Sequence, residues 1–126
     1  MKRLLITGTR YGWNPEDLSF ILGYHCGQMN GGRTDNLVLV HGAADGVDRQ
    51  AAQIWTRMGW VTEAHPADWN THGKAAGPIR NAEMVALGAD QCIAFPGENS
   101  RGTWDCVTKA KNAGIPTVTY MGGEMS

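Results

Sequence analysis

Four short stretches of this chain concentrate the residue types that hold a phosphate or a sugar. The first is Thr7-Gly8-Thr9-Arg10-Tyr11-Gly12. Gly8 permits a tight turn, and the Thr9 hydroxyl and Arg10 guanidinium suit phosphate oxygens. The stretch also reads as an ordinary strand-to-helix turn with a surface arginine, because it lacks both the full dinucleotide glycine fingerprint and the Walker pattern. The second is His41-Gly42-Ala43-Ala44-Asp45-Gly46-Val47-Asp48. Small residues at Gly42 and Ala43 let a ligand lie against backbone N–H groups, and the Asp48 carboxylate suits ribose hydroxyls. Asp45 and Asp48 have a plainer use as helix caps, which fits Asp45 better. His41 reads as a packed strand end.

The third stretch runs from His65 to Met84 and carries Trp69, Arg80, Asn81 and Glu83. A cation at the start of a helix opposes the macrodipole, so Arg80 points to a ligand anion or an acidic partner. Trp69 reads as a stacking surface for a base, an aromatic lid or a core anchor. His65 and His72 have neither the spacing nor the nearby carboxylates of a metal site, so no metal is expected. The fourth stretch is Pro96-Gly97-Glu98-Asn99-Ser100-Arg101-Gly102-Thr103, continuing through Trp104-Asp105-Cys106. It follows the apolar run 92–95, so a strand empties into a Pro/Gly turn and a helix starts near Arg101. Gly97, Gly102, Thr103 and Arg101 then face the place where an open parallel sheet binds ligands. Asp105 is either a helix-stabilising acid or a carboxylate turned to the ligand.

The elements that position these loops follow from hydrophobic patterning. Near-continuous apolar runs at 4–6, 37–40, 60–62, 92–95 and 117–120 predict five strands covered on both faces. Helices are predicted from Pro15, capped by Asn14; from Asp45 to Met58, with Val47, Ala51, Ile54, Trp55 and Met58 on one stripe; from Pro78 to Leu87; and from Arg101 to Ala113. Gly59, Gly88 and Gly114 supply their stops. The longest irregular stretch is expected at 64–77, and the end 122–126 is expected to fray. This alternation makes residues 1–126 one α/β domain, doubly wound, with a five-stranded, mainly parallel sheet and helices on both faces.

At 126 residues, a hydrophobic content of 42% is enough for one core without metal or disulfide staples. The net charge of -1 argues against a broad nucleic-acid face. Cys26, Cys92 and Cys106 are odd in number and share no metal-like spacing, which suits a reducing cytoplasm. The opening apolar run is too short for a signal peptide or a membrane span, so no membrane association is expected.

Taken in order, Thr7-Gly8-Thr9-Arg10, the segment 41–49, the segment 67–78, Arg80-Asn81-Ala82-Glu83-Met84 and Ala94-Phe95-Pro96-Gly97 resemble the YspA-like branch of the SLOG superfamily. The likeness covers nearly the whole chain. It implies a Rossmann-like domain that binds nucleotides or nucleotide-derived signals, with a homodimer expected from relatives and no cofactor. The superfamily also contains the LOG phosphoribohydrolases, which cleave the N-glycosidic bond of nucleoside monophosphates. Arg80 and Met84 resemble the first half of their site. The second half departs, with Cys106 in the register of the glutamate and Asp105 just before it.

The leading expectation is a nucleotide- or ADP-ribose-type binding module, a sensor or sequestering protein. Its phosphate would lie on Pro96, Gly97 and Gly102, helped by Thr103 and Arg10, its sugar near Asp48, Asn81 and Glu83, and its base toward Trp69 or Tyr11. An N-glycosidase with Arg80, Asp105 and Glu83 as catalytic groups is the alternative. A non-catalytic protein-interaction module is the third.

Overall fold

Side chains alternate in direction along the first strand, Lys2–Gly8 (β1), and this sets both halves of the core. Leu4 and Ile6 join one fully buried cluster and Leu5 joins the other. The computed structural model describes residues 1–33 and 35–125. Four more strands, Leu37–His41 (β2), Val61–Ala64 (β3), Gln91–Phe95 (β4) and Thr117–Thr119 (β5), complete a sheet in the order β3-β2-β1-β4-β5, every pairing parallel. In this register Leu5 pairs with Val40 on one side and Cys92 on the other, which buries β1 centrally.

Helices Pro15–Asn30 (α1) and Val47–Arg57 (α2) cover one face. Their Leu18, Leu22, Ala51 and Trp55 pack on Leu4, Ile6, Leu39 and Phe95. On the other face Met84 from Ala76–Ala86 (α4) and Cys106 and Ala110 from Arg101–Asn112 (α5) pack on Leu5, Val38 and Val40. A short helix, Trp69–His72 (α3), and a 3-10 turn, Gly73–Ala75, precede α4. The domain is therefore α/β and wound on both faces, as the patterning predicts.

Several boundaries differ from the sequence reading, each for a local reason. β3 starts one residue late and ends at Ala64. It is an edge strand, with Val61 half exposed, so an apolar run does not mark it. Trp60 instead turns its ring edge-on to Trp55, with centroids 4.2 Å apart. α2 starts at Val47: Gly46 is its N-cap without a side-chain bond, and Asp45 pairs with Arg49 at 3.3 Å rather than capping. Met58, expected on the buried stripe, is half exposed past the last turn. α4 begins two residues before Pro78, which is tolerated in a first turn where no intrahelical N–H is required. The stretch 64–77 is partly helical because Asp68 accepts a hydrogen bond from the Thr71 N–H at 3.1 Å.

The end of the chain is also not frayed. Glu124 forms an antiparallel bridge with Trp13, the Asn14 N–H donates to the Gly123 carbonyl at 2.9 Å, and the Met125 N–H donates to the Gly12 carbonyl at 3.0 Å. Paired backbone groups at both flanks hold residues that composition alone marks as loose. Ser126 lies outside the described residues.

β1 meets α2 at Gly8, where an added Cβ would stand 2.6 Å from the Val47 Cβ. Gly8→Ala should therefore lower stability by about 1–3 kcal/mol through overpacking. Urea denaturation that leaves the midpoint unchanged would show that the contact is looser than this geometry requires.

Candidate functional site

The strand order reverses between β1 and β4, and the backbone there is tightly joined: the Thr9 N–H donates to the Phe95 carbonyl at 2.9 Å. In open parallel sheets this is the crevice that receives ligands. Thr9 is buried; its hydroxyl donates to Glu124 Oε2 at 2.5 Å and accepts from the Tyr11 N–H at 3.2 Å. Across the crevice the Ser100 hydroxyl turns back to accept the Gly97 N–H at 2.7 Å. That leaves the start of α5 without a side-chain cap, and its first turn holds no acid. Such a helix start presents N–H groups and a positive dipole end. Gly102 lies there in the open and Thr103 is buried beside it.

Asp48, in the first turn of α2, is turned inward to hold the second loop. Its Oδ2 accepts from the N–H groups of Gly42 at 3.0 Å and Ala44 at 3.3 Å. Its Oδ1 is buried with no hydrogen-bond partner among the described residues. Burial raises its pKa from 3.8 to about 6, against the opposing pull of the Ala44 N–H, the Arg80 charge and the Gly42 N–H. Between these donors Ala43 adopts φ 55°, a left-handed conformation that costs an alanine roughly 1–2 kcal/mol. The Ala43 N–H donates to His41 Nδ1 at 3.0 Å. Burial, and then the charges of His65 and Arg80, lower the pKa of His41.

Arg80 ties this loop to α4. Its guanidinium donates to the Gly42 carbonyl, to the His65 carbonyl at 3.4 Å and, through Nε, to Asn81 Oδ1 at 2.9 Å. Asn81 Nδ2 in turn donates to the Gly102 carbonyl at 3.1 Å and to Asp105 Oδ2 at 3.0 Å. Asp105 receives Lys109 Nζ at 2.5 and 2.6 Å. One chain of hydrogen bonds thus runs from the end of β2 to the first turns of α5. Because α4 starts at Ala76, Arg80 is its fifth residue, past the first turn where the macrodipole most opposes a cation.

Not every residue singled out in the sequence joins this cluster. Glu83 is exposed and lies two residues from Asn81, about 200° round the helix, so α4 carries it away from the Asn81 side. Arg10 and Arg101 are exposed, with Arg10 lying over the Tyr11 ring 5.3 Å from its centroid. Trp69 is also exposed, its ring edge close to Gly77. Cys106, in the register of the phosphoribohydrolase glutamate, is fully buried in the core with Cys92. Contact with the Cys106 sulfur, and then burial, pushes the Cys92 thiol up. Among the described residues no group of three or more His, Cys, Asp or Glu side chains could hold a metal, and no helix is long and apolar enough to cross a membrane.

Sequence reasoning missed Lys109, Ser100 and Glu124. The i,i+4 spacing of Asp105 and Lys109 on one helix signals the first. Gly122-Gly123 before an acid hints at the last, since paired glycines let a chain approach another backbone closely.

No family model matches the chain. The Gene 61 protein of Mycobacterium phage D29 is 40% identical to it over 129 residues, an alignment spanning 95% of this chain and 97% of that protein. The chain belongs to the Gene 61 family. At 18% identity, the X-ray structure of the structural-genomics target TM1055 superposes with a TM-score of 0.64, covering 93% of this chain and 72% of that one. That likeness shows a shared Rossmann-like α/β fold.

In this Gene 61 family member, the raised pKa of Asp48 makes stability depend on pH. The folded state binds the proton more tightly than the unfolded chain, so stability falls as pH rises from about 4 to about 6 and then levels. Asp48→Asn should remove that fall, changing the wild-type-minus-variant difference by on the order of 3 kcal/mol between pH about 3.5 and about 7.5. Urea titrations across this range test it; a constant difference would mean that the Asp48 carboxyl titrates alike in the folded and unfolded chains.

Proposed function

We propose that this protein binds a nucleotide or a nucleotide-derived signal, such as a nucleoside phosphate or an ADP-ribose derivative, and acts as a sensor or sequestering module. The observation that carries this reading is the uncapped, acid-free start of α5 at the reversal of a parallel sheet. Oriented N–H groups and a dipole end favour an anion there. The phosphate lies on the Gly97 and Gly102 loops with the Thr9 hydroxyl beside it. The sugar lies toward Asp48 and Asn81, and the base reaches the exposed rings of Tyr11 or Trp69.

The resemblance to YspA-like SLOG domains supports the same class of ligand, and a homodimer belongs to this reading. Three free, buried cysteines suit a reducing compartment. The hydrolytic alternative would rest on Asp105, whose carboxylate is engaged by Lys109 and Asn81.

Gly102→Asp separates binding from folding. Its Cβ points into open space, and a first-turn acid adds about 0.3–1 kcal/mol to a helix. The variant should melt at the wild-type temperature or slightly above it, while its affinity for AMP or ADP-ribose drops about tenfold or more through repulsion of the phosphate. Calorimetric titration showing equal affinity would remove the phosphate from this helix start. Free base accumulating in the same mixtures, followed by mass spectrometry, would make the protein an N-glycosidase.

A further inference from the structure

We infer that the protein carries an anion-binding site at the β1–β4 reversal that its own Glu124 carboxylate fills, so that the strap 122–125 and a ligand phosphate compete for it. The identity of the ligand, though not the site itself, rests on the nucleotide reading above.

Two loops far apart in sequence converge on this one carboxylate. Thr9, following β1, donates its hydroxyl to Oε2 at 2.5 Å. The Glu98 N–H, following β4, donates to Oε1 at 3.0 Å. Gly97 supplies the floor, where an added Cβ would overlap the carboxylate itself. Both oxygens of Glu124 are thus held by neutral donors, and the group takes part in no ion pair among the described residues. A half-buried carboxylate satisfied by a hydroxyl and a backbone N–H above a glycine shows that this pocket accepts an anion. A phosphate oxygen pair has the same acceptor chemistry, more charge, and a third oxygen to turn toward α5.

The strap is built to present this side chain. Its backbone is clipped on both sides of Glu124, by the Asn14 N–H to Gly123 and by the Met125 N–H to Gly12. Gly123 lies so close to the Trp13 indole that any Cβ would collide with the ring. Trp13 is buried and stacks edge-on against Phe95, the last residue of β4, at 5.2 Å. The clip therefore bears on the same strand end that carries the Gly97 turn. Its backbone part is two hydrogen bonds that together make one isolated bridge at the rim of the domain, the kind of element that opens locally before the core does.

While the strap is closed, a phosphate meets a site already holding an anion tethered at high effective concentration. Its apparent affinity is then reduced by the fraction of molecules in which the strap is open. A glutamine at 124 keeps the shape but has one acceptor oxygen and no charge, so it cannot satisfy both donors.

The test is titration of the full chain with inorganic pyrophosphate, comparing wild type, Glu124→Gln and, as a control for net charge, Asp17→Asn. Asp17 is an exposed acid lining the depression on the far side of the strap. Glu124→Gln should bind pyrophosphate about tenfold or more tightly than wild type, and Asp17→Asn within about twofold of it. Saturating pyrophosphate should remove hydrogen-exchange protection from the Met125 amide of the wild type. Equal affinities in wild type and Glu124→Gln, an equal gain in Asp17→Asn, or bound pyrophosphate with Met125 still protected would each overturn the inference. Repeating the titrations with AMP and ADP-ribose separates the two readings. If Glu124→Gln gains pyrophosphate affinity while neither protein binds a nucleotide, the strap stands and the nucleotide reading falls; if wild type binds AMP with Met125 still protected, the reverse holds.

Discussion

The pairing of β1 with β4 at the centre of the sheet is the constraint on which the rest of this structure depends. The two strands run parallel, so their chain ends emerge together on one edge, and the Thr9 N–H to Phe95 carbonyl bond keeps them in register past the last ladder pair. Because the connections leave these strands in opposite directions along the sheet, α1, which follows β1, stands on one face and α5, which follows β4, on the other. The gap between their starts cannot be closed by packing. Loops rich in glycine, small residues and hydroxyls fill it. Gly8 is held against Val47 on one side and Gly97 against Glu124 on the other, so the crevice is shaped by backbone where side chains would obstruct it.

Charge on this edge is managed by burial and by sharing. Asp48 is drawn into the protein to hold the turn after β2, at the expense of one unpartnered oxygen and a raised pKa. Arg80 stands nearby and spreads its donors over backbone carbonyls and Asn81. Asn81 passes the connection to Gly102 and Asp105. These bonds join α4 and α5 to the second loop. A second charged group adjoins this one through His65: Arg3 grips Glu63 through two parallel bonds at 3.0 and 2.7 Å, and Glu63 accepts His65 at 2.6 Å. These contacts, Arg3 first, hold the Glu63 carboxyl down at about 2.

The fold and the membership of the first two loops were legible in the sequence because burial on both faces writes itself as uninterrupted apolar runs. Leu37-Val38-Leu39-Val40 and Cys92-Ile93-Ala94-Phe95 are such runs, and both are strands. Edge strand β3 was legible only approximately, since half of it faces solvent and carries Thr62 and Glu63 in place of an apolar pattern. Asp48, Arg80, Asn81 and Asp105 were recognisable as chemistry-bearing residues from their types and their places at helix starts. Their partnership with one another was not, because apart from the Arg80–Asn81 bond the links join residues four to 38 positions apart, most of them on different elements. Glu83 shows the converse: proximity in sequence to Arg80 and Asn81 placed it in the same group, and the helical turn separates it.

By itself the sequence determined the order of the strands and the four longer helices, the α/β class and the loops that end at the carboxyl edge of the sheet, because those depend on local patterning and on how apolar surface must be covered. Only the tertiary structure decided which carboxylates remain available. It buried Asp48, paired Asp105 with Lys109, turned Glu83 outward and brought Glu124 from the far end of the chain to Thr9 and Gly97. The last of these depends on a distance between segments more than a hundred residues apart, Thr9 and Glu124, and no periodicity along the chain encodes it.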